Sequence, residues 1–267
     1  MAFQIVPASE SLLAEIEIWL DAEEAIYRRA SKEWEEADYN GDRPVRGFRC
    51  NWDSAKRGWR EGRADIHVLL VEGEAIGFLD GTDILEIRPD LRGKGYGRIL
   101  ADFMIQSAWD EGRSVVEIEI APASAEPFWL SMGFTLVEER EGYGGGTFAY
   151  KILPRKFELR GGEMVKYAIS FFTAKARYSP EPKPFVEYAG EGVRLADGHI
   201  QLPERAFCFN PTDAQHVDYF VKIEVDGDVL HFDKAKREES ELCGVLRDAG
   251  SVFYVERINP GHGNIAQ

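Results

Sequence analysis

Two hydrophobic periods alternate along the chain. "FQIVP" near the start reads as a strand. From Ser9 to about Arg29 the apolar residues Leu12, Leu13, Ile16, Ile18, Trp19 and Leu20 take helical spacing behind a serine suited to cap them. A second helix is predicted across "NWDSAKRGWREG", ended by Gly62. "ADIHVLLVEGEAIGFLDG" then reads as two strands around Glu72-Gly73-Glu74, and "TDILEIRP", Asp83 included, as a third that Pro89 closes. From Tyr96 to Glu111 one helical face gathers Ile99, Leu100, Phe103, Met104 and Ala108, with Gly112 as the stop. In "SVVEIEI" the period returns to two: Val116, Ile118 and Ile120 share one face, Glu117 and Glu119 the other. "SAEPFWLSMGF" predicts a short helix, and "TLVEE" and "GTFAYKIL" two further strands joined by "REGYGGG".

After "LPRKFELRGGE" the texture becomes β-rich: "MVKYAISFF", "PFVEY", "RAFCFN" and "YFVKIEVDGDVLHF", the last with a hairpin turn at Asp226-Gly227-Asp228. A helix is expected from Asp233 to about Leu246. These patterns predict a mixed α/β fold, of the α+β kind with a mainly antiparallel sheet flanked by helices, over residues 1–155, followed by a smaller β-rich domain over 156–267. The second part has no glycine-basic loop of its own and is not a duplication of the first.

Composition narrows the partners. With 44% hydrophobic residues in 267 the chain can bury a sizeable core. A formal charge of -15 opposes non-specific attraction to nucleic acid or to an anionic membrane. The start "MAFQIVPASE" has neither a basic n-region nor a long apolar run, and no stretch approaches the ~18 apolar residues of a membrane span, so a cytoplasmic protein is expected. Cys50, Cys208 and Cys243 are odd in number and far apart, and the five histidines have no ligand-like spacing. Neither a disulfide framework nor a bound metal is expected.

The chemistry is concentrated in "RPDLRGKGYGRIL", residues 88–100, which runs from the end of a strand into a helix. Glycines there suit a backbone that approaches a phosphate closely. A P-loop requires a hydroxyl after its lysine, whereas Lys94 is followed by Gly95. A Rossmann fingerprint opens the first βα unit, whereas this stretch follows an antiparallel meander and is spaced Gly93-x-Gly95-x-Gly97. The pattern that fits is [QR]-x-x-G-x-[GA], filled by Arg92, Gly95 and Gly97.

With this loop, and with "AEPFWLSMGF" in the place of an "A-x-x-[FL]-Y-x-x-x-GF" segment, the sequence resembles the GCN5-related N-acetyltransferase (GNAT) superfamily over roughly residues 3–152. The C-terminal part resembles no family. The resemblance implies acetyl-coenzyme A as co-substrate. Its diphosphate would lie on the backbone of Gly93, Lys94, Gly95, Tyr96 and Gly97 at the helix start, with Arg92, Lys94 and Arg98 to offset its charge. It also implies that the backbone N–H at Ile87 serves the thioester carbonyl and that Trp129 packs against the cofactor arm.

Direct acetyl transfer to an amine needs a base and an acid. Counting back from the loop places Asp83 on the strand where relatives often keep a basic group, so the resemblance implies it as the first candidate base, with Glu119 and Glu86 behind it. The acid is open: Trp129 stands where relatives carry a tyrosine, and an indole does not titrate usefully, which leaves water, Ser131 or Tyr143. The acceptor implied is a small amine. Its charge is expected to be positive, because residues 1–155 hold 29 acidic against 18 basic side chains. Glu33, Glu35, Glu36 and Asp38 with Trp34 and Tyr39 can hold such a cation or form a solvated helix end. Two other functions remain: a non-catalytic acyl-CoA sensor, and a toxin-like enzyme that acetylates aminoacyl-tRNA, which the acidic balance disfavours. The C-terminal hairpins can cover the acceptor, with Tyr178, Phe185, Tyr188 and His199 as a lid or as ordinary core, bind a partner or build a homodimer.

Overall fold

A computed structural model describes residues 2–141, 145–212 and 218–262. The chain forms two compact units, Met1–Ser107 and Ala108–Gln267.

In the first unit β1 (Phe3–Pro7) leads into α1 (Glu10–Glu36) and α2 (Arg49–Arg60), then β2 (Ile66–Val71), β3 (Glu74–Asp80), β4 (Ile84–Ile87) and α3 (Tyr96–Asp110), which crosses the boundary. The strands form one antiparallel sheet in the order β1-β2-β3-β4. The hairpin between β2 and β3 turns on Glu72 and Gly73 at φ +54° and +89°, a conformation that favours glycine. Ser9 caps α1 as expected, its Oγ accepting from Leu12 N at 3.4 Å. The apolar stripe Leu13, Ile16, Trp19 and Leu20 packs with Trp52 and Ala55 of α2 against Ile66, Val68, Ala75 and Phe78. Phe78 is the hub, with the rings of Trp52, Phe48 and Trp19 at 5.0, 5.6 and 6.2 Å. Burying such side chains contributes roughly 1.5–3 kcal/mol each.

α1 continues beyond Arg29 to Glu36, so the acidic stretch closes a helix, with Glu33, Glu35 and Glu36 in water. Trp34 meets the edge of Tyr39 at 4.9 Å and donates to Gly41 O. The return to α2 is pinned on α1 by Glu24. Its carboxylate is 6% exposed and accepts from Arg46 at 2.6 and 3.0 Å and from Arg28 at 3.1 Å.

The second unit begins with β5 (Val115–Ile120), α4 (Glu126–Ser131), β6 (Thr135–Glu141) and β7 (Thr147–Ile152), a sheet ordered β5-β7-β6. There follow β8 (Glu163–Thr173), α5 (Ala174–Arg177), β9 (Val186–Arg194), β10 (Ile200–Cys208), β11 (Tyr219–Val225), β12 (Asp228–Lys234), α6 (Glu238–Leu242), β13 (Val245–Arg247) and β14 (Phe253–Ile258). These strands make a seven-stranded antiparallel sheet, β12-β11-β8-β9-β10-β14-β13. Alternate residues of β8 (Val165, Tyr167, Ile169, Phe171), with Leu202 of β10 and Val221 and Ile223 of β11, fill its core. Phe185 and Tyr188 pack against that core, and the Tyr188 hydroxyl donates to Phe207 O at 3.2 Å. Tyr178 is exposed beside Phe220.

The helix expected over 233–246 is corrected by the register. Asp233 and Lys234 continue the pairing of β12 with Val221 and Phe220, Gly244 at φ +103° ends a helix of five residues, and Val245 starts a strand. β14 was not anticipated, although "FYVERI" puts Val255 and Ile258 inside.

Across Arg155, where the composition changes, the backbone is bonded to β10: Arg205 N donates to Arg155 O and Phe157 N to Pro203 O. Arg205 is 6% exposed and joins the two sheets of this unit. Its guanidinium donates to Glu256 Oε1 at 2.5 and 2.8 Å, to Gly112 O at 2.5 Å and to Ser114 Oγ at 3.1 Å, over the Tyr254 ring.

Candidate active site

β4 is an edge strand. It pairs with β3 in the register Gly77↔Ile87, Phe78↔Glu86, Leu79↔Leu85 and Asp80↔Ile84. Gly77 permits this close approach, since a Cβ there would lie 2.6 Å from Ile87 Cδ1 and 2.7 Å from Glu86 O. Arg88 N donates to Ile76 O at 2.8 Å. Backbone groups alternate along an antiparallel pair, so the N–H and C=O of Ile87 point to the open edge. That is the orientation a donor to a substrate carbonyl needs.

One 3₁₀ turn, Pro89–Leu91, separates β4 from the loop. Gly93 and Gly95 have φ +76° and +90°, and a Cβ on either would meet no protein atom within 4 Å. Backbone conformation, not crowding by protein, demands glycine at both, and the side on which a Cβ would project is open. Gly97 already lies inside α3, whose first turn is closed by Arg98 N on Gly95 O at 3.1 Å. Left-handed glycines alternating with ordinary residues at the start of a 15-residue helix turn successive amides to one side, a cradle for a diphosphate. Lys94 and Arg98 are exposed beside it, and Tyr96 opens the helix half-buried.

Arg92 turns inward. Its Nε donates to Ile87 O at 2.9 Å, and Nη2 reaches Glu86 Oε2 at 3.2 Å and Glu23 Oε1 at 2.9 Å. The guanidinium therefore fixes the loop's first residue to the end of β4 and bridges two carboxylates. The side chain of Glu86 is 24% exposed. Burial pushes its pKa up to about 7, the nearby Glu23 charge adds to the rise, and Arg92 opposes both.

Asp83 lies elsewhere. The structure places it outside β4, exposed, in the turn after β3, with its N–H on Asp80 O. The expectation that it stands on the strand is corrected: β4 pairs only from Ile84, because Gly81 at φ +53° turns the chain just before it. Burial, then the neighbouring Asp83 charge, raises the pKa of Asp80.

The remaining candidates belong to the second unit. Glu119 on β5 is half-buried and accepts from Gly146 N at 2.8 Å, whereas Glu117 is exposed beside Arg140. Trp129 is 9% exposed, edge-on to Phe128 at 5.0 Å and Phe134 at 5.1 Å. The Ser131 hydroxyl donates to Phe128 O, and Tyr143 lies outside the described residues.

Sequence reasoning missed Glu23. The signal was present: Glu23 and Glu24 follow Leu20 by three and four positions and so continue the inward stripe of α1 with carboxylates. Among the described residues no group of three or more His, Cys, Asp or Glu side chains is arranged to hold a metal, and no helix is long and apolar enough to cross a membrane.

An antiparallel sheet flanked by helices, with a glycine loop feeding a helix from an edge strand, is a framework suited to a ligand that carries phosphates. Residues 24–134 match the family model for the acetyltransferase (GNAT) family, and this segment is a GNAT acetyltransferase domain. No curated protein matches the chain in sequence. Among solved structures, the chain is similar to the PaiA N-acetyltransferase of Thermoplasma acidophilum in complex with coenzyme A. Identity is 14%, over 57% of this chain and all of that one, with a TM-score of 0.41. It is similar to the putative acetyltransferase yncA of Salmonella typhimurium with acetyl-CoA, at 19% identity over 57% and 94%, TM-score 0.37. It is also similar to the ribosomal-protein-alanine N-acetyltransferase of Brucella melitensis, at 20% over 56% and 99%, TM-score 0.36. Residues from 135 onward lie outside the family match.

Proposed function

We propose that the protein is an acetyl-CoA-dependent N-acetyltransferase acting on the primary amine of a small cationic molecule, with Glu86 as the base. The observation that carries this reading is Glu86 itself: a carboxylate with pKa near 7, one residue before the open-edge N–H of Ile87. A base poised near neutrality is largely ionised at physiological pH yet still takes a proton readily.

Acetyl-CoA supplies the acetyl group as an activated thioester. The amides of residues 93–97 hold its diphosphate, and the N–H of Ile87 donates to the carbonyl oxygen. Glu86 removes a proton from the acceptor ammonium, giving the free amine. As the amine attacks and the C–S bond breaks, the further proton that the nitrogen loses passes through water to the departing thiolate. The excess of acidic side chains supports a cationic acceptor by favouring its approach.

Thiol release from acetyl-CoA, measured against a panel of polyamines and amino-sugars, tests the reading. An amine-dependent rate that falls as pH drops below about 7 is expected. Glu86→Gln is expected to lower kcat by roughly 10²- to 10⁴-fold. A full rate in that variant would remove Glu86 as the base. Coenzyme A binding without turnover on any amine would favour the sensor, and no coenzyme A binding would defeat both.

A further inference from the structure

Glu23 and Arg92 form, with Glu86, a charged cluster on the α1 side of β4. One guanidinium serves two carboxylates: Nη2 stands 2.9 Å from Glu23 and 3.2 Å from Glu86. Its Nε also donates to Ile87 O, which ties the group to the end of β4. Glu23 is held from the other side as well. Gly47, in the segment that Glu24 and Arg46 pin, packs so closely that a Cβ there would lie 2.6 Å from Glu23 Cδ. Glu23 Oε2 is buried with no hydrogen-bond partner among the described residues. A carboxylate confined in this way cannot swing off to water when its neighbour titrates.

We propose that Glu23 and Arg92 are a positioning pair that sets the protonation of Glu86 and ties it to the glycine loop. The inference rests on the reading of Glu86 as the base. Arg92 draws Glu86 toward its charged form and Glu23 pushes it toward the neutral one; these are the charged groups acting on it, since Glu24, next along α1, is neutralised by Arg28 and Arg46. Because Arg92 is also the first residue of the loop motif, a ligand on the loop that shifts its guanidinium changes the proton affinity of the base. By linkage, the ionisation of Glu86 then changes the affinity of the loop for that ligand.

The test is the carboxyl titration of Glu86, followed by ¹³C NMR on glutamate-labelled full-length protein and assigned by the signal that Glu86→Gln removes. Glu23→Gln is expected to move the midpoint down and Arg92→Gln to move it up, each by about 0.5–1 pH unit, and Arg92→Lys to leave it near the wild-type value. The acid limb of kcat/KM should move with it. Thermal melts confirm that each variant folds. With coenzyme A as probe, the wild-type midpoint should shift and that of Arg92→Gln should not. Unmoved midpoints in Glu23→Gln and Arg92→Gln would overturn the pair. Weaker coenzyme A binding by Arg92→Gln with no change in midpoint would reduce Arg92 to a phosphate ligand and overturn it too. Shifted midpoints together with an active Glu86→Gln would instead overturn the catalytic reading on which the pair rests.

Discussion

Two arginines, one in each compact unit, show how the same side chain serves two ends. Arg205 is 6% exposed and its donors are divided among one carboxylate, one carbonyl and one hydroxyl, with an aromatic ring on its face. Arg92 is 47% exposed, and one nitrogen is shared by two carboxylates that compete for it. A buried charge with complete partners resists rearrangement; a half-exposed one with contending partners can redistribute at little cost. The first arrangement holds strands together, and the second suits a place where a proton moves.

Removing each guanidinium breaks the comparison most directly. Arg205→Met keeps the stem on Tyr254 but leaves Gly112 O, Ser114 Oγ and Glu256 without their donor, and is expected to cost about 3 kcal/mol. For a chain of this size that corresponds to a fall in Tm of roughly 6–12 °C. Arg92→Gln should cost less, because Glu86, whose pKa burial has already pushed up to about 7, can take up a proton once the guanidinium is gone. Calorimetric melts of the two variants would erase the distinction if their losses were equal.

Glycines sharpen it next. Gly95 in the loop and Gly227 in the β11–β12 turn share nearly the same backbone, φ +90° and +92°, and neither has protein atoms where a Cβ would project. Alanine at either is expected to cost about 1–2 kcal/mol of strain. Only Gly95→Ala should also weaken coenzyme A binding, by about tenfold, because only there does the strained backbone present amides to a phosphate. Isothermal titration of both variants checks this, and equal affinities would take the diphosphate away from the loop.

How much of this was legible in the sequence follows from how local each cause is. The strands and helices through residue 152 declared themselves by period and by cap, and the loop by its glycines, since φ and capping are decided within a few residues. The end of β4 was legible and its beginning was not: Gly81 turns the chain just before Ile84, so Asp83 came off the strand. The C-terminal helix was overestimated because "DKAKREESEL" has good helix formers, while the pairing of Asp233 and Lys234 with β11 is non-local. Glu23 was hidden for a related reason. A carboxylate on an apolar stripe reads as an irregularity until Arg92, 69 positions later in the chain, is seen to meet it.

The smallest effect separates the two units by the sign of a slope. His231, on β12, is 2% exposed, and its Nε2 lies 2.7 Å from Ser240 Oγ, which itself donates to Lys234 O at 2.8 Å. The serine proton is thereby used, so the neutral ring carries its hydrogen on Nε2 and donates it. Burial lowers the pKa of His231 below 6.5, against the pull of Asp233 and Glu239. Below about pH 6.5 the unfolded chain binds the proton more readily than the folded one, so stability is lost as pH falls. Glu86 works the other way: its folded pKa of about 7 lies above the ordinary 4.5, so the folded chain holds the extra proton between those values and stability is lost as pH rises. Between pH 5 and 7 the two slopes oppose. Melting His231→Gln across that range should show Tm rising less with pH than in the wild type, and Glu86→Gln should show it rising more, by differences of about 2 °C. Parallel curves for the two variants would mean that neither group titrates as its surroundings dictate.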